Sequence, residues 1–439
     1  MIDLVKFTAV ALLLGAAPVY AQAPSEPAEE DDPFAAFDDF DDEWQEEGGL
    51  TWTGFFESGY GRRLDADPNG LPRQTLGDVR ARLETEWAGE ALRLTFKGDL
   101  LYDDYESEME AELRELAIQA SPRSSVDLKV GRQVLTWGTG DLVFLNDLFP
   151  KNWVSFFFGR EDDYLKDPSD ALRLTWYTNA INVDIVWSPE FEPDNYLTGA
   201  RASFFSPVAG GIVAPRPPLD ARMPDDDIEN GELALRLFKT VGSTEYAGYF
   251  YRGFFKQPLG SNASLEPSFP QLSVIGASLR RPLGRGLFNA EIAYHDSRED
   301  GGGTNPLIPN DQLRLLTGYE FEARPRLTVG LQWYLELTRD YAALVENSPA
   351  PSLEPDERRH VLTTRLTYRT AQDRLTYSLF AFYSPTDDDH YVRPSVSYRH
   401  SDRWTFTTGA SLFSGKRDQT FFGQLEDNSN VYARARYNF

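Results

Sequence analysis

From residue 50 to the C-terminus, apolar and polar residues alternate in stretches of about ten, as in strands with two unlike faces. In DVRARLETEW, Val79, Ala81, Leu83 and Trp87 share one face, while Asp78, Arg80, Arg82, Glu84 and Glu86 share the other. ALRLTFKGDLLY sets Leu92, Leu94, Phe96, Leu100 and Tyr102 against Arg93, Thr95, Lys97 and Asp99. Eighteen such segments begin near residues 50, 76, 91, 113, 126, 170, 181, 231, 244, 271, 286, 311, 326, 360, 374, 390, 403 and 430. Their links alternate in length. WAGEA, SPRSS, TNA, VGST, PLGRG, ARPR, TAQD and HSD are short, and residues 137–168, 188–230 and 339–358 are among the long ones. A soluble sandwich also alternates, but it has no reason to gather its long loops at one end, as outer-membrane barrels do. The pattern predicts an all-β transmembrane antiparallel barrel of about 18 strands over residues 50–439. Sixteen strands is the alternative, because an internal loop can mimic a strand pair.

The first 49 residues break this pattern. Residues 1–23 combine Lys6, an apolar core from Phe7 to Ala17 and the small-residue site Ala21-Gln22-Ala23, which reads as a secretory signal peptide. That core is too short for a lasting membrane span, which needs roughly 20 apolar residues. With no cysteine the chain carries no disulfide, thiolate metal site or lipid-anchor cysteine. Residues 24–49 hold twelve acids and no base, a large part of the net charge of −26. Such a balance speaks against nucleic acid as a partner. Within this tail, DDPFAAFDDFDDEW offers Asp32 and Pro33 as a helix start. At about 100° per residue, Phe34, Phe37, Phe40 and Trp44 then fall on one side of a helix. The expectation is a periplasmic tail, disordered alone and helical on a partner. The four aromatics would dock a periplasmic or inner-membrane transport partner through residues 31–47, or else the barrel's own periplasmic mouth near Arg93, Arg399, Arg434 and Arg436, and an inert acidic spacer is the remaining reading.

The closing stretch VYARARYNF places Val431, Ala433, Ala435, Tyr437 and Phe439 on one face and Tyr432, Arg434, Arg436 and Asn438 on the other. It resembles the last strand of Gram-negative outer-membrane β-barrels. That resemblance implies that Tyr437 and Phe439 form the signal read by the barrel assembly machinery, and that membrane lipids and lipopolysaccharide surround the wall. A second stretch, GRQVLTWGTGDLVFLNDLFP from Gly131 to Pro150, resembles porin-like and alginate-export-like barrels, in which a long loop folds into the lumen. The apolar runs LVFL and VSFFF suit such an inward loop, the alternative being an external cap held by its own aromatics. Trp137, Asp141, Asp147, Lys151, Arg160, Asp162, Asp163 and Lys166 are accordingly the expected constriction residues. Alternation turns Arg80, Arg82, Arg93, Arg173, Arg314, Arg365, Arg434 and Arg436 inward, among carboxylates such as Asp99, Asp184, Glu291 and Glu336. This mixture reads equally as a salt-bridge lattice bracing the wall or as a lining for hydroxylated or zwitterionic solutes. YAGYFYRGFF, Tyr246 to Phe255, has aromatics on both faces and reads as an interfacial girdle or a stacking track.

Three stretches bear on chemistry. His295-Asp296-Ser297, with Asn305 or Asn310 as an orienting group, resembles outer-membrane phospholipase A. However, His295 and Ser297 point to the lumen, where no acyl chain lies. DADPNG matches the opening of a calcium loop through Asp65, Asp67, Asn69 and Gly70, but Leu76 stands where the closing glutamate belongs. PTDDDH groups Asp387, Asp388 and Asp389 as a solvated charge run or a bridge to lipopolysaccharide phosphates. The expectation is therefore no enzyme, cofactor or metal. The chain reads as an outer-membrane channel or transport component for a polar or amphiphilic solute. The alternatives are the outer-membrane component of an inner-membrane pump or of a lipid or polysaccharide export assembly and, last, a lipid hydrolase.

Overall fold

A computed structural model describes residues 51–439 except 90, 226 and 371. The signal, the acidic tail and its four aromatics lie outside the described residues. Eighteen strands form one sheet. In chain order they are β1 (Thr51–Arg63), β2 (Gln74–Ala88), β3 (Leu92–Asp103), β4 (Glu108–Arg123), β5 (Val126–Val134), β6 (Pro168–Trp176), β7 (Asn182–Ser188), β8 (Glu232–Val241) and β9 (Thr244–Phe254). The second half comprises β10 (Gln271–Leu283), β11 (Gly286–Ser297), β12 (Gln312–Arg324), β13 (Leu327–Thr338), β14 (Arg358–Arg369), β15 (Leu375–Ser384), β16 (Asp389–Arg399), β17 (Trp404–Gly415) and β18 (Asn430–Asn438). Each strand pairs antiparallel with the next, and β1 pairs with β18 from Phe55↔Asn438 to Arg63↔Asn430. The sheet therefore closes and leaves no edge, which a spanning sheet requires because lipid cannot satisfy exposed backbone groups. All eighteen segments marked by alternation are strands of this sheet, so the count is 18 rather than 16.

Alternation produces the two faces. Arg80 and Arg82 are 2% and 5% exposed on the inner face of β2, while the neighbouring Val79, on the outer face, is 47% exposed. Such an outer face is stable against hydrocarbon and unstable against water. Phe439 completes closure, since its backbone exchanges hydrogen bonds of 3.2 and 3.0 Å with Gly54. Its ring lies 5.2 Å from that of Phe56 on the outside.

Inside, one apolar cluster joins the wall to the loops at the long-loop end. Leu145, Phe156, Phe157, Phe158 and Leu165 from residues 135–167 pack with Val186, Val274, Leu316, Phe382, Tyr391 and Phe413 of the wall, and with Phe422 and Leu425 of residues 416–429. Each fully buried side chain of this size contributes roughly 1.5–3 kcal/mol by leaving lumen water. Sequence reading anticipated the first loop turning inward but not the second.

Candidate functional site: a constriction crossing the lumen

The loop of residues 135–167 starts and ends on neighbouring strands, with Val134 paired to Pro168. Between these ends it reaches distant walls. The first anchor is Glu291 on β11. Its carboxylate accepts from the Thr139 backbone N–H, from Gly140 N at 2.8 Å, from Thr139 Oγ1 at 2.9 Å and from Asn146 Nδ2 at 2.7 Å. Asn289 Nδ2 donates to Thr139 O at 2.7 Å, and the His295 Nε2 lies 3.0 Å from Leu145 O. Several donors on one buried carboxylate make a strong, directional attachment. The loop then turns through a short helix, α1 (Trp153–Phe157), capped by Asn152 Oδ1 on Ser155 N at 2.8 Å. Past it, Gly159 has φ +82°, and any side chain there would enter the Tyr432 ring, so glycine is required.

The second anchor lies on β2 to β4. Arg160 donates to Asp78 at 2.6 and 3.2 Å and to Asp103 at 2.9 Å. The buried Tyr164 ring receives the guanidiniums of Arg80, Arg82 and Arg114, at 4.0, 4.9 and 4.9 Å. Those cations are in turn held by acids: Asp99 pairs with both Arg80 and Arg82, and Glu112 pairs with Arg80 and Arg114.

Between the anchors, three loop carboxylates meet arginines on strands of the wall. Asp141 pairs with Arg365 of β14 at 2.5 Å, Asp162 with Arg393 of β16 at 2.9 Å, and Glu161 with Arg436 of β18. Arg436 and Arg434 also reach Glu57 of β1. The Asp162 side chain keeps 50% of its exposure, although the lumen surrounds it, and Glu161 keeps 37%. Acids on the loop and bases on the wall thus border the space that the loop leaves open. Burial opposes ionisation of Asp162, but Arg393 and Arg365 outweigh it and hold its carboxyl below the usual range. For Glu161 burial wins over Arg436 and Arg434, and its carboxyl rises. Burial also pushes the Asp167 carboxyl up to about 6, against Arg114.

The other expected constriction residues serve the loop's own packing. Trp137 is buried against Phe149 and Tyr249, with ring centroids 5.1 and 6.1 Å away. Asp147 accepts from Lys151 Nζ at 2.9 Å and Thr136 Oγ1 at 2.8 Å, and Lys166 Nζ reaches the same threonine at 2.8 Å. Asp163 is exposed, and its backbone carbonyl accepts from Arg114 at 3.2 Å. On the wall, Arg93 pairs with Glu86 at 3.0 Å, Arg173 with Asp184 at 2.8 Å and Arg314 with Glu336 at 3.6 Å. Such pairs brace the barrel. YAGYFYRGFF divides: Tyr246 faces out, while Tyr249 and Tyr251 are buried inward and Tyr249 seats Trp137. Sequence reading missed Tyr164, Glu57 and Arg201. Arg201 binds Asp103 and, through Nη1 at 3.3 Å, Thr75 O, so residues 189–231 are also tied to the wall.

His295 and Ser297 are 2% and 0% exposed, and Asn310 donates to Arg339 O at 2.8 Å rather than orienting the ring. The histidine holds a loop carbonyl instead of activating the serine. In DADPNG, the Asp67 oxygens accept from Asn69 N and Ser203 Oγ, both at 2.7 Å. In PTDDDH, Asp387 takes Arg359 at 2.6 Å and Asp389 takes Phe422 N at 2.8 Å. Asp67, Asp387 and Asp389 are therefore struts within the fold, and Asp388 faces Lys416 at 3.2 Å.

No family model and no curated protein matches the chain. Among solved structures, OccAB3 of Acinetobacter baumannii matches with a TM-score of 0.54 and 10% identity, over 89% of this chain and 99% of that one. OmpT of Vibrio cholerae, an outer membrane protein folded in vitro, matches at 0.40 and 13%, over 90% and 100%. A triple mutant of the Rhodopseudomonas blastica porin matches at 0.42 and 12%, over 89% and 100%. The weight rests on the first, and at that identity it speaks to fold: this chain is a closed 18-stranded antiparallel barrel, the architecture of Gram-negative outer-membrane barrels.

Proposed function

We propose that the chain is an outer-membrane channel or transport component, with its short turns and N-terminal tail in the periplasm, that passes a polar or amphiphilic solute without chemistry of its own. The carrying observation is the set of loop acids Asp141, Glu161 and Asp162, poised on wall arginines beside open lumen. A narrow passage between low-dielectric walls focuses such charges. A solute with both hydrogen-bond donors and acceptors can exchange partners with these pairs as it passes. Planar-bilayer recording tests the reading. Asp162→Asn removes one negative charge and releases Arg393, so the cation-to-anion permeability ratio falls about twofold or more, read as a reversal-potential shift under a salt gradient. A barrel that conducts nothing, or an unchanged reversal potential, would count against it.

The acidic aromatic tail favours a second layer of function, in which residues 31–47 dock a periplasmic or inner-membrane transport partner. Clustered acids resist helix formation in isolation, and such segments fold against a surface. Replacing Phe34, Phe37, Phe40 and Trp44 with serine then abolishes transport in cells and leaves conductance in pure bilayers unchanged. Normal transport in that variant would reduce the tail to a spacer.

A further inference from the structure

The arginines of the lumen differ from those at the short-turn end. In the lumen, Arg80, Arg82, Arg160, Arg173, Arg365 and Arg393 each pair with a carboxylate. At the short-turn end, Arg281, Arg285, Arg324, Arg326, Arg374 and Arg403 are exposed, and among the described residues none forms an ion pair. They span an arc from β10 to the turn before β17. Resting on the membrane-spanning reading above, we propose that this arc is a docking belt for the phosphate headgroups of anionic phospholipids.

The placement carries the inference. Arg281 pairs in register with Phe288 and lies on the outward face that also bears Ile275, which is 66% exposed. The Arg285 guanidinium lies 5.3 Å over the Phe321 ring, and that of Arg324 lies 5.7 Å over Tyr368. Arg403 Nη1 donates to Tyr437 Oη at 3.3 Å. Outward aromatics at a strand end mark the lipid–water boundary, so cations stacked on them stand at headgroup depth. A soluble partner does not reach the flank of a barrel there. Guanidinium also matches phosphate with two parallel hydrogen bonds, and it attracts anionic leaflets where an ammonium of a zwitterionic headgroup would compete. Nearby acids are fewer than the six arginines of the arc: Asp373 and Asp402 share turns with Arg374 and Arg403, and the Glu322 carboxylate accepts the Arg326 backbone N–H at 2.8 Å. The long-loop end also exposes arginines, among them Arg73, Arg298, Arg339 and Arg358, but sets them among more numerous exposed acids such as Asp104, Glu106, Glu299 and Asp356. A surface on which arginines outnumber acids therefore lies at the short-turn end.

The test uses the full chain, purified and incubated with phosphatidylglycerol and phosphatidylcholine of identical acyl chains, with retained lipid read by native mass spectrometry. Phosphatidylglycerol should be retained about tenfold over phosphatidylcholine. The combined variant R281Q/R285Q/R324Q/R403Q should bring the ratio close to one, with heat-modifiability and bilayer conductance unchanged. Parity in the unmodified protein, or an undiminished ratio in the variant, overturns the belt. Abolition of the preference by inorganic phosphate assigns the arginines to free anions, and a preference seen only after removal of residues 24–49 assigns them to the acidic segment; either overturns the lipid assignment. Failure of the protein to insert into liposomes instead overturns the membrane reading beneath it.

Discussion

Replacing residues 136–166 with a four-residue Gly-Ser turn raises single-channel conductance roughly threefold or more, because an 18-stranded barrel without an inner loop leaves a wide aqueous channel. The design follows from the register, since Val134 and Pro168 are already paired and a short turn closes them without moving either strand. The deletion removes Leu145, Phe156, Phe157, Phe158 and Leu165 from the apolar cluster, so thermal stability falls. It also strips Asp78, Arg365, Arg393 and Arg436 of their loop partners. Those wall charges then face water rather than protein, which limits the cost of losing the pair. The barrel itself is held by eighteen strand pairings and by the surrounding lipid, so heat-modifiable assembly is retained. Unchanged conductance in a folded variant would mean that residues 189–231 and 416–429 close the passage without this loop, and the constriction would have to be assigned to them.

The barrel was legible because its signal is local. Alternation such as Asp78-Val79-Arg80-Ala81-Arg82 needs no knowledge of distant residues, and the short turns punctuate it. The inward turn of the 135–167 loop was legible in the same way, from LVFL and VSFFF, which a solvated loop has no use for. The site was legible only as a list of charges. Whether Asp147 or Asp162 lines the open space depends on which cation each one meets. Asp147 finds Lys151 four residues on, whereas Asp162 finds Arg393 across the lumen. The three-arginine embrace of Tyr164 is set by strand register and loop length together, and no stretch of sequence carries it. Glu57 escaped for a simpler reason: TWTGFFESGYGRR has glycines and a serine on both faces, so its period is faint. Residues 416–429 read as polar, and two side chains, Phe422 and Leu425, suffice to pull them in.

Glu291→Ala should convert the constriction from a fixed to a fluctuating one. The carboxylate it removes is the common acceptor for Thr139 N, Thr139 Oγ1, Gly140 N and Asn146 Nδ2. Four donors lose their acceptor at a wall position only 4% exposed, and breaking such a charge-centred network costs about 3–5 kcal/mol. That energy is lost by the closed arrangement of the loop arm, not by the barrel, because β11 keeps its pairings with β10 and β12. At roughly 1.4 kcal/mol per factor of ten, the open population of the arm rises by about two orders of magnitude or more. Bilayer recordings then show frequent steps to a higher conductance, while the amount of folded barrel stays close to normal. Glu291→Gln retains one acceptor oxygen and should fall between the two. Arg365→Ala is the contrast, since its pair with Asp141 is partly solvated and its loss is worth less. Asp141 stays tied down besides, because its backbone N–H donates to Gln332 Oε1 at 2.7 Å and its carbonyl accepts from Gln332 Nε2 at 2.8 Å. Equal current noise in Glu291→Ala and the unmodified channel would remove Glu291 as the latch and leave the Arg160 and Tyr164 anchor to hold the loop alone.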